Sequence, residues 1–159
     1  MSDLQALLDR QAIHDVLMRY ARGIDRCDWA MVEACYHPGA RDDHGRFKGT
    51  VEEFMPWVKV QLDRFDSTMH FLGNVLIELD GATAKAETYC VAFHRVKDQD
   101  VDSIAGLRYV DRFERRGGEW RIADRAIVVE WNRIDEITTP GFGPEYLRGS
   151  RDRTDPVYG

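Results

Sequence analysis

The chain has 159 residues, a length typical of one domain with a single core. Its 28 acidic residues outnumber its 22 Lys and Arg residues, and the resulting net charge of −6 does not suit nucleic acid or an anionic membrane as a partner. The three cysteines form no CxxC motif, which argues against a disulfide framework or a zinc ribbon. The sequence shows no leader or membrane-spanning pattern, so we expect a cytoplasmic protein.

Two helices are predicted at the start of the chain. Apolar residues recur at spacings of three and four from Leu4 to Ile24, the pattern of an amphipathic helix with one buried face. A second helix is expected from Trp29 to Tyr36, with Asp28 as its cap and His37-Pro38-Gly39 as its end.

A polar segment and a third helix follow. Asp42-Asp43-His44 has the residue types of a metal site, but three consecutive residues rarely point at one ion, and Gly45 indicates a turn. We therefore expect a solvated loop there and no metal. Thr50 and Glu53 form a capping box, which predicts a third helix ending near Phe65.

After Ser67 the pattern changes to β-branched and aromatic residues that alternate with polar ones, which is typical of strands. Asp80-Gly81 and Gly117-Gly118 stand where tight hairpin turns are expected. The predicted strands are Met69 to Leu79, Thr83 to Val96, Ser103 to Arg115 and Glu119 to Trp131. They would form an antiparallel meander with the helices on one face. Residues 132–159 are rich in Pro and Gly and are expected to form an arm over a pocket or a neighbouring subunit.

Asp25 and His70 are the first candidates for chemistry. Asp25 lies at the end of the first predicted helix, and His70 lies on the first long strand. An imidazole held by a buried carboxylate keeps one tautomer and can act as a general base, so this pair could remove a proton from carbon. The structural alternative is that Asp25 caps a turn while His70 bonds a backbone carbonyl in the core.

Three further polar residues could contribute to a site. Tyr20 could donate a hydrogen bond to a substrate oxygen, or it could simply belong to the core. His94 ends a strand face of small residues from Ala84 to Ala92, which leaves room for a ligand, although histidines near strand ends are often merely exposed. Arg108 could bind an oxyanion or a carboxylate in a cavity, or it could pair with a strand neighbour at the surface.

Two segments carry a family resemblance. AIHDVLMRYARGIDRCDW near the start and GLRYVDRFERRGGEWRIADR near the end, in this order of elements, resemble the SnoaL-like branch of the nuclear transport factor 2-like superfamily over about residues 4–131. The resemblance implies an α+β cone, in which a curved antiparallel sheet and N-terminal helices enclose a deep apolar pocket. It also implies a homodimer or homotrimer. We expect one domain over residues 1–131, followed by the arm at residues 132–159.

The resemblance also implies an activity. Scytalone dehydratase, bile-acid 7α-dehydratase and hexachlorocyclohexane dehydrochlorinase belong to this superfamily and carry out eliminations without a metal. Asp25 and His70 match the positions of their Asp-His pair. Tyr20 matches the tyrosine five residues before that aspartate in the bile-acid enzyme, and His94 matches a second catalytic histidine of scytalone dehydratase. Arg108 lies on a strand that carries polar pocket residues in several members.

We expect a lyase that needs no cofactor and acts on a small hydrophobic ring compound. His70, oriented by Asp25, would be the base, and His94 or Tyr20 would assist the leaving group. Tyr20 and Arg108 would stabilise the developing negative charge. The predicted pocket lining is Trp29, Phe54, Met55, Trp57 and Leu72. The same base would serve an isomerase or a polyketide cyclase, and a non-catalytic binding or subunit protein would keep the pair as a core feature.

Overall fold

Three α-helices and six strands lie along residues 2–159, the part of the chain described by a computed structural model. The helices are α1 (Asp3–Arg26), α2 (Trp29–Ala34) and α3 (Val51–Leu62). The strands are β1 (Tyr36–Asp43), β2 (Lys48–Thr50), β3 (Phe65–Asp80), β4 (Thr83–Val96), β5 (Val101–Arg116) and β6 (Glu119–Glu136). Within these residues, no helix combines the length and the apolar character that crossing a membrane requires.

The helices start where the sequence predicts. Ser2 accepts the backbone N–H of Gln5 at the start of α1, and Asp28 accepts that of Met31 at the start of α2. Thr50 and Glu53 form the expected capping box before α3. These side chains satisfy N–H groups that have no partner inside the helix. The third helix ends before the expected Phe65, because that residue already pairs in the sheet.

The sheet has the strand order β2-β1-β6-β5-β4-β3. Strands β3 to β6 form the predicted antiparallel meander, and Gly117 and Gly118 occupy the hairpin turn before β6 with positive φ angles of 60° and 89°. The helices cover the inner face of this curved sheet, and their apolar residues share one core with it. The predicted α+β cone is therefore confirmed.

The first strand corrects a prediction. His37-Pro38-Gly39 was expected to end a helix, but these residues lie within β1, which pairs in parallel with β6. His37 is buried there, and its Nε2 atom lies 2.8 Å from the carbonyl oxygen of Glu114. Pairing with a strand about eighty residues away in sequence leaves no local periodic signal.

The C-terminal arm begins later than expected and returns to its own chain. Strand β6 runs to Glu136, five residues past the predicted end at Trp131. Near the C-terminus, Arg26 donates to the carbonyl oxygen of Ser150 and to the carboxylate of Asp155, each at 3.0 Å. The arm is thereby attached to the junction between α1 and α2.

Candidate active site

Asp25 and His70 form a hydrogen-bonded pair between the last turn of α1 and the inner face of β3. Oδ1 of Asp25 lies 2.7 Å from Nδ1 of His70, and Oδ2 accepts the backbone N–H of His70 at 2.8 Å. The hydroxyl of Thr68 donates to Oδ1 at 3.0 Å. Two bonds to one residue and a third to its strand neighbour fix both the position and the rotation of this buried carboxylate.

This arrangement determines how the imidazole of His70 is presented. Because the carboxylate of Asp25 is an acceptor, it selects the tautomer of the neutral imidazole in which Nδ1 carries the proton and Nε2 has the lone pair. Within residues 2–159, Nε2 has no hydrogen-bond partner, and it is not among the polar atoms sealed from solvent. A ligand above the strand can therefore meet a ring nitrogen that is ready to accept a proton.

His94 lies beside His70 on the neighbouring strand. The two rings meet edge to face with their centroids 5.4 Å apart, and the Phe65 ring packs against His94 at 4.7 Å. Burial lowers the pKa of His94 to about 4, and the nearby imidazole of His70 acts in the same direction. His94 is therefore neutral at pH 7 and can orient a substrate hydroxyl by hydrogen bonding, but it is not a cationic acid.

The sheet leaves a floor of small and apolar side chains next to the two histidines. Pairing across β3 to β6 aligns His70, Ala92, Ala105 and Asn132 in one row of the inner face. The adjacent row on one side contains Leu72, Cys90, Leu107 and Val129. Val129 is 56% exposed and Ile134, opposite Ser103, is 59% exposed. The exposed part of this apolar surface lies on β6, whereas Ala92 and Cys90 next to the dyad are buried.

Tyr20 lies in a buried aromatic group. Its ring meets Tyr36 and Tyr109 edge to face, with centroids 6.0 and 5.7 Å apart. The guanidinium of Arg125 lies 4.0 Å from the Tyr20 ring centroid and 4.2 Å from that of Tyr109. Burial raises the pKa of Tyr20 well above its ordinary value, so its hydroxyl stays protonated.

Arg125 and its partner Asp111 were missed from the sequence. They face each other on β6 and β5 and form two hydrogen bonds of 2.8 and 2.7 Å, with both side chains fully buried. Nη1 of Arg125 has no partner within residues 2–159. The sequence does contain one indication that Asp111 is buried: it stands between Tyr109 and Phe113, which are buried, in the alternating pattern of its strand. The interior therefore contains an ion pair beside its apolar side chains.

A cavity of about 560 Å³ opens next to the end of α1. Its lining consists of Cys27, Trp29, Lys59, Val60, Asp63 and Arg151. Trp29 was predicted to line a pocket, and the Nζ atom of Lys59 lies 5.6 Å from its ring centroid. Arg151 brings a residue of the C-terminal arm to this cavity.

Comparison with known proteins identifies the family. The family model described as a SnoaL-like domain matches residues 5–126. The chain belongs to the SnoaL-like family. An uncharacterized protein of Mycobacterium tuberculosis strain H37Rv is 28% identical to it over 131 residues, which cover 79% of this chain and 88% of that protein.

Solved structures share the fold of this SnoaL-like protein. A hexachlorocyclohexane dehydrochlorinase from Novosphingobium barchaimii has a TM-score of 0.78 at 18% identity, covering 90% of this chain and 99% of the other. A scytalone-dehydratase-like protein from Novosphingobium aromaticivorans has a TM-score of 0.74 at 16% identity, covering 90% and 97%. At such identities the likeness is one of fold.

Arg108 lies apart from the dyad of the SnoaL-like protein. It is on the outer face of β5, where its guanidinium bonds Glu87 at 2.6 Å and Glu130 at 2.7 Å. Of its two predicted roles, the structure shows the pairing with strand neighbours at the surface. The alternation of β5 explains this, because the adjacent Tyr109 occupies the inward position.

The prediction of a solvated loop at Asp42-Asp43-His44 is wrong, because Asp42 and Asp43 lie within β1. Asp42 is buried and accepts the hydroxyl of Tyr36 at 2.7 Å, and its other oxygen bonds Nδ1 of His44. Asp43 and His44 are both half-buried, and Gly45 forms the expected turn with a φ of 73°. Asp42 and His44 therefore belong to the polar interior together with Tyr36.

The other predicted lining residues fall into two groups. Leu72 lies on the inner face two residues after His70. Phe54 and Trp57 pack with Phe47 and His44 beneath α3, and Met55 is buried in the core. The structure therefore places Leu72 beside the dyad, and it places Phe54, Met55 and Trp57 in the packing of α3.

Proposed function

We propose that this SnoaL-like protein is a lyase of the dehydratase type that acts on a small cyclic, largely apolar substrate. The observation that carries the proposal is the Asp25–His70 pair, with Nδ1 held by the carboxylate and Nε2 free. A purely structural histidine in a core would have both ring nitrogens satisfied or covered. Here one nitrogen is left available on the inner face of the sheet.

The proposed step is an elimination with His70 as the base. Nε2 takes a proton from the carbon next to a carbonyl, the C–H electron pair becomes the C=C bond, and the bond from the β-carbon to the hydroxyl oxygen breaks. The proton on Nε2 then joins the departing hydroxide to form water, which returns His70 to its starting state. An imidazole removes a carbon proton most readily when a neighbouring carbonyl makes that proton acidic, so we propose a β-hydroxy carbonyl compound as substrate.

His94 and Tyr20 have supporting roles in this proposal. His94 is neutral because of its lowered pKa, so it orients the leaving hydroxyl by a hydrogen bond while His70 supplies the proton. Tyr20 is kept protonated and lies against the cation of Arg125, which favours negative charge nearby. Tyr20 would stabilise the negative charge that develops on the carbonyl oxygen as the carbon loses its proton.

The shape of the inner face supports the choice of substrate. Ala92 and Ala105 give the row of His70 a shallow floor, while Leu72, Leu107 and Val129 supply an apolar wall. Flat or cyclic hydrocarbon groups bury more of their surface against such a floor than branched polar ones. A ring placed there brings one of its carbons over the imidazole.

Turnover of cyclic β-hydroxy ketones tests the proposal. Formation of the enone is followed by its ultraviolet absorbance for the wild type, His70→Gln and the control His14→Gln, which changes a half-buried histidine of α1. We expect the His70 variant to lose roughly 100-fold or more of the rate and the His14 variant to keep it. If His70→Gln converts a substrate of the wild type at the wild-type rate, the proposed base is wrong.

A further inference from the structure

The guanidinium of Arg151 has buried donors without acceptors. Nη1 donates to the carbonyl oxygen of Leu62 at 2.9 Å and also to that of Phe65. Nε and Nη2 are covered from water and have no partner within residues 2–159. Covered donors of a charged group are costly when they stay unsatisfied, so this site favours an arriving acceptor.

The neighbouring arm residues hold Arg151 in this position. The backbone N–H of Ser150 donates to Oδ2 of Asp155 at 2.8 Å, and the carbonyl oxygen of Ser150 accepts from Arg26 at 3.0 Å. Both backbone groups of the preceding residue are therefore fixed. The side chain of Arg151 is presented toward the chain interior by a preformed segment.

Contacts connect Arg151 to the proposed active site. Its guanidinium bonds the backbone of Phe65, the Phe65 ring packs on His94, and the His94 ring contacts His70. Arg151 is therefore linked to His70 through the packed side chains of Phe65 and His94. The side chain also lines the 560 Å³ cavity beside Trp29.

The charge around this cavity favours an anion. Arg151 and Lys59 are its two cations, and Asp63 is its one carboxylate. The remaining ionisable neighbour is Cys27. Burial raises the pKa of its thiol more than the nearby guanidinium of Arg151 lowers it, so the neutral thiol adds no second negative charge to the cavity at pH 7. Trp29 and Val60 supply apolar surface beside the cations.

We propose that Arg151 binds the carboxylate of a ring-bearing substrate in this cavity, with the ring extending towards His70. Arginine suits a carboxylate because two adjacent N–H groups can bind its two oxygens together. The substrate class thereby becomes a cyclic carboxylic acid. The assignment rests on the proposed function for the orientation of the ring, but the binding of the carboxylate by itself does not depend on turnover.

Three probes test the assignment on the full chain. The probes are cyclohexanecarboxylate, its neutral counterpart cyclohexanecarboxamide, and inorganic phosphate. Each is titrated into the protein while tryptophan fluorescence is recorded, and a Trp29→Phe variant shows which part of the signal comes from Trp29. We expect the carboxylate to bind at least about 10-fold more tightly than the amide. Phosphate, which has the charge but no ring, should bind more weakly than the carboxylate. Equal affinity for carboxylate and amide would overturn the proposal, and so would phosphate binding as tightly as the carboxylate.

Substitutions separate Arg151 from the general charge of the arm. We expect Arg151→Gln to lose roughly 10- to 100-fold in carboxylate affinity and to bind the amide as before. Arg148→Gln changes an exposed arginine of the same arm and should leave both affinities unchanged. If Arg151→Gln does not fold, Arg151→Lys keeps the charge without the paired N–H groups, and it should retain only part of the preference for the carboxylate. Unchanged carboxylate affinity in the Arg151 variant would refute the assignment.

The His70→Gln variant distinguishes this proposal from the proposed function. Its carboxylate affinity should equal that of the wild type, since the imidazole is not part of the anion site. If His70→Gln loses turnover and still binds the carboxylate, both proposals are supported. If it keeps both turnover and carboxylate binding, His70 is not the base, but the assignment of the carboxylate site to Arg151 is unaffected. A large loss of carboxylate affinity in His70→Gln would contradict the assignment to Arg151.

Discussion

Asp25 contacts His70 through both of its carboxylate oxygens, one on the imidazole and one on the backbone N–H of the same residue. The hydrogen bond to the backbone N–H attaches the end of α1 to β3 independently of the orientation of the imidazole. The side-chain bond is thus made between partners whose backbones are already fixed, so little entropy is lost in orienting the ring. An orientation of this kind is useful for a base that must meet a carbon proton.

Asp25→Asn is expected to lower kcat on a β-hydroxy ketone by roughly 100-fold or more while changing KM little. The amide lacks the charge, and its NH₂ group can turn the imidazole to the other tautomer. Thr68→Val, which removes only the hydroxyl bond to Oδ1, is the matched comparison and should cost far less. Steady-state kinetics measure both, and equal losses in the two variants would argue against a special role for the charge of Asp25.

His94 should make the stability of the fold depend on pH. Its pKa is about 4 in the native state, against an ordinary value of 6.5. Between these values the unfolded chain binds a proton that the native chain does not, so stability falls as the pH is lowered from 6.5 to 4. The contribution is up to about 3 kcal/mol. The charged groups that influence this ring are His70, Asp25 and Arg151.

Urea unfolding at several pH values measures this effect. His94→Gln should lose less stability than the wild type on acidification from pH 6.5 to 4, and the two should run in parallel above pH 7. His14→Gln provides a histidine control on α1. Identical pH slopes for the wild type and the His94 variant would contradict a buried neutral ring.

Asp155→Asn should release the arm without unfolding the domain. Asp155 accepts the backbone N–H groups of Ser150 and Val157 as well as the guanidinium of Arg26, and these bonds lower its pKa. We expect faster hydrogen exchange at the amides of residues 150–158 and unchanged exchange in the sheet. Asp152→Asn alters a carboxylate that bonds only within the exposed arm, and it should not speed exchange at Val157. Protection of Val157 in the Asp155 variant would show that other contacts hold the arm.

The helices and the meander could be predicted because their signals are local. The spacing from Leu4 to Ile24, the capping box at Thr50 and the glycine turn before β6 each depend on residues close in sequence. Strand β1 could not be predicted in this way, because its partner β6 lies far away along the chain. Pairing between distant segments is settled by tertiary packing.

The site shows the same limit at the level of single residues. The residue types and the family resemblance point to Asp25 and His70, and the structure brings the two side chains into contact. The orientation of Arg108 could not be predicted from the polarity of its strand. In β5 the charged Asp111 faces inward and the apolar Val110 faces outward, so polar and apolar residues do not mark the two faces. Arg151 has no local pattern at all, since the folding of the arm alone brings it to the cavity.

Arg125 and Asp111 give a prediction about the interior itself. Both side chains are fully buried, so removal of one leaves an uncompensated polar or charged group in a medium of low dielectric constant. Arg125→Met should therefore reduce the free energy of unfolding by about 3–5 kcal/mol, whereas the double variant Arg125→Met, Asp111→Leu should recover most of that loss. Denaturant unfolding of the two single variants and the double variant gives the coupling between the residues. If the double variant is as unstable as the sum of the single ones, the stacking of Arg125 between Tyr20 and Tyr109 would outweigh the ion pair in stabilising the core.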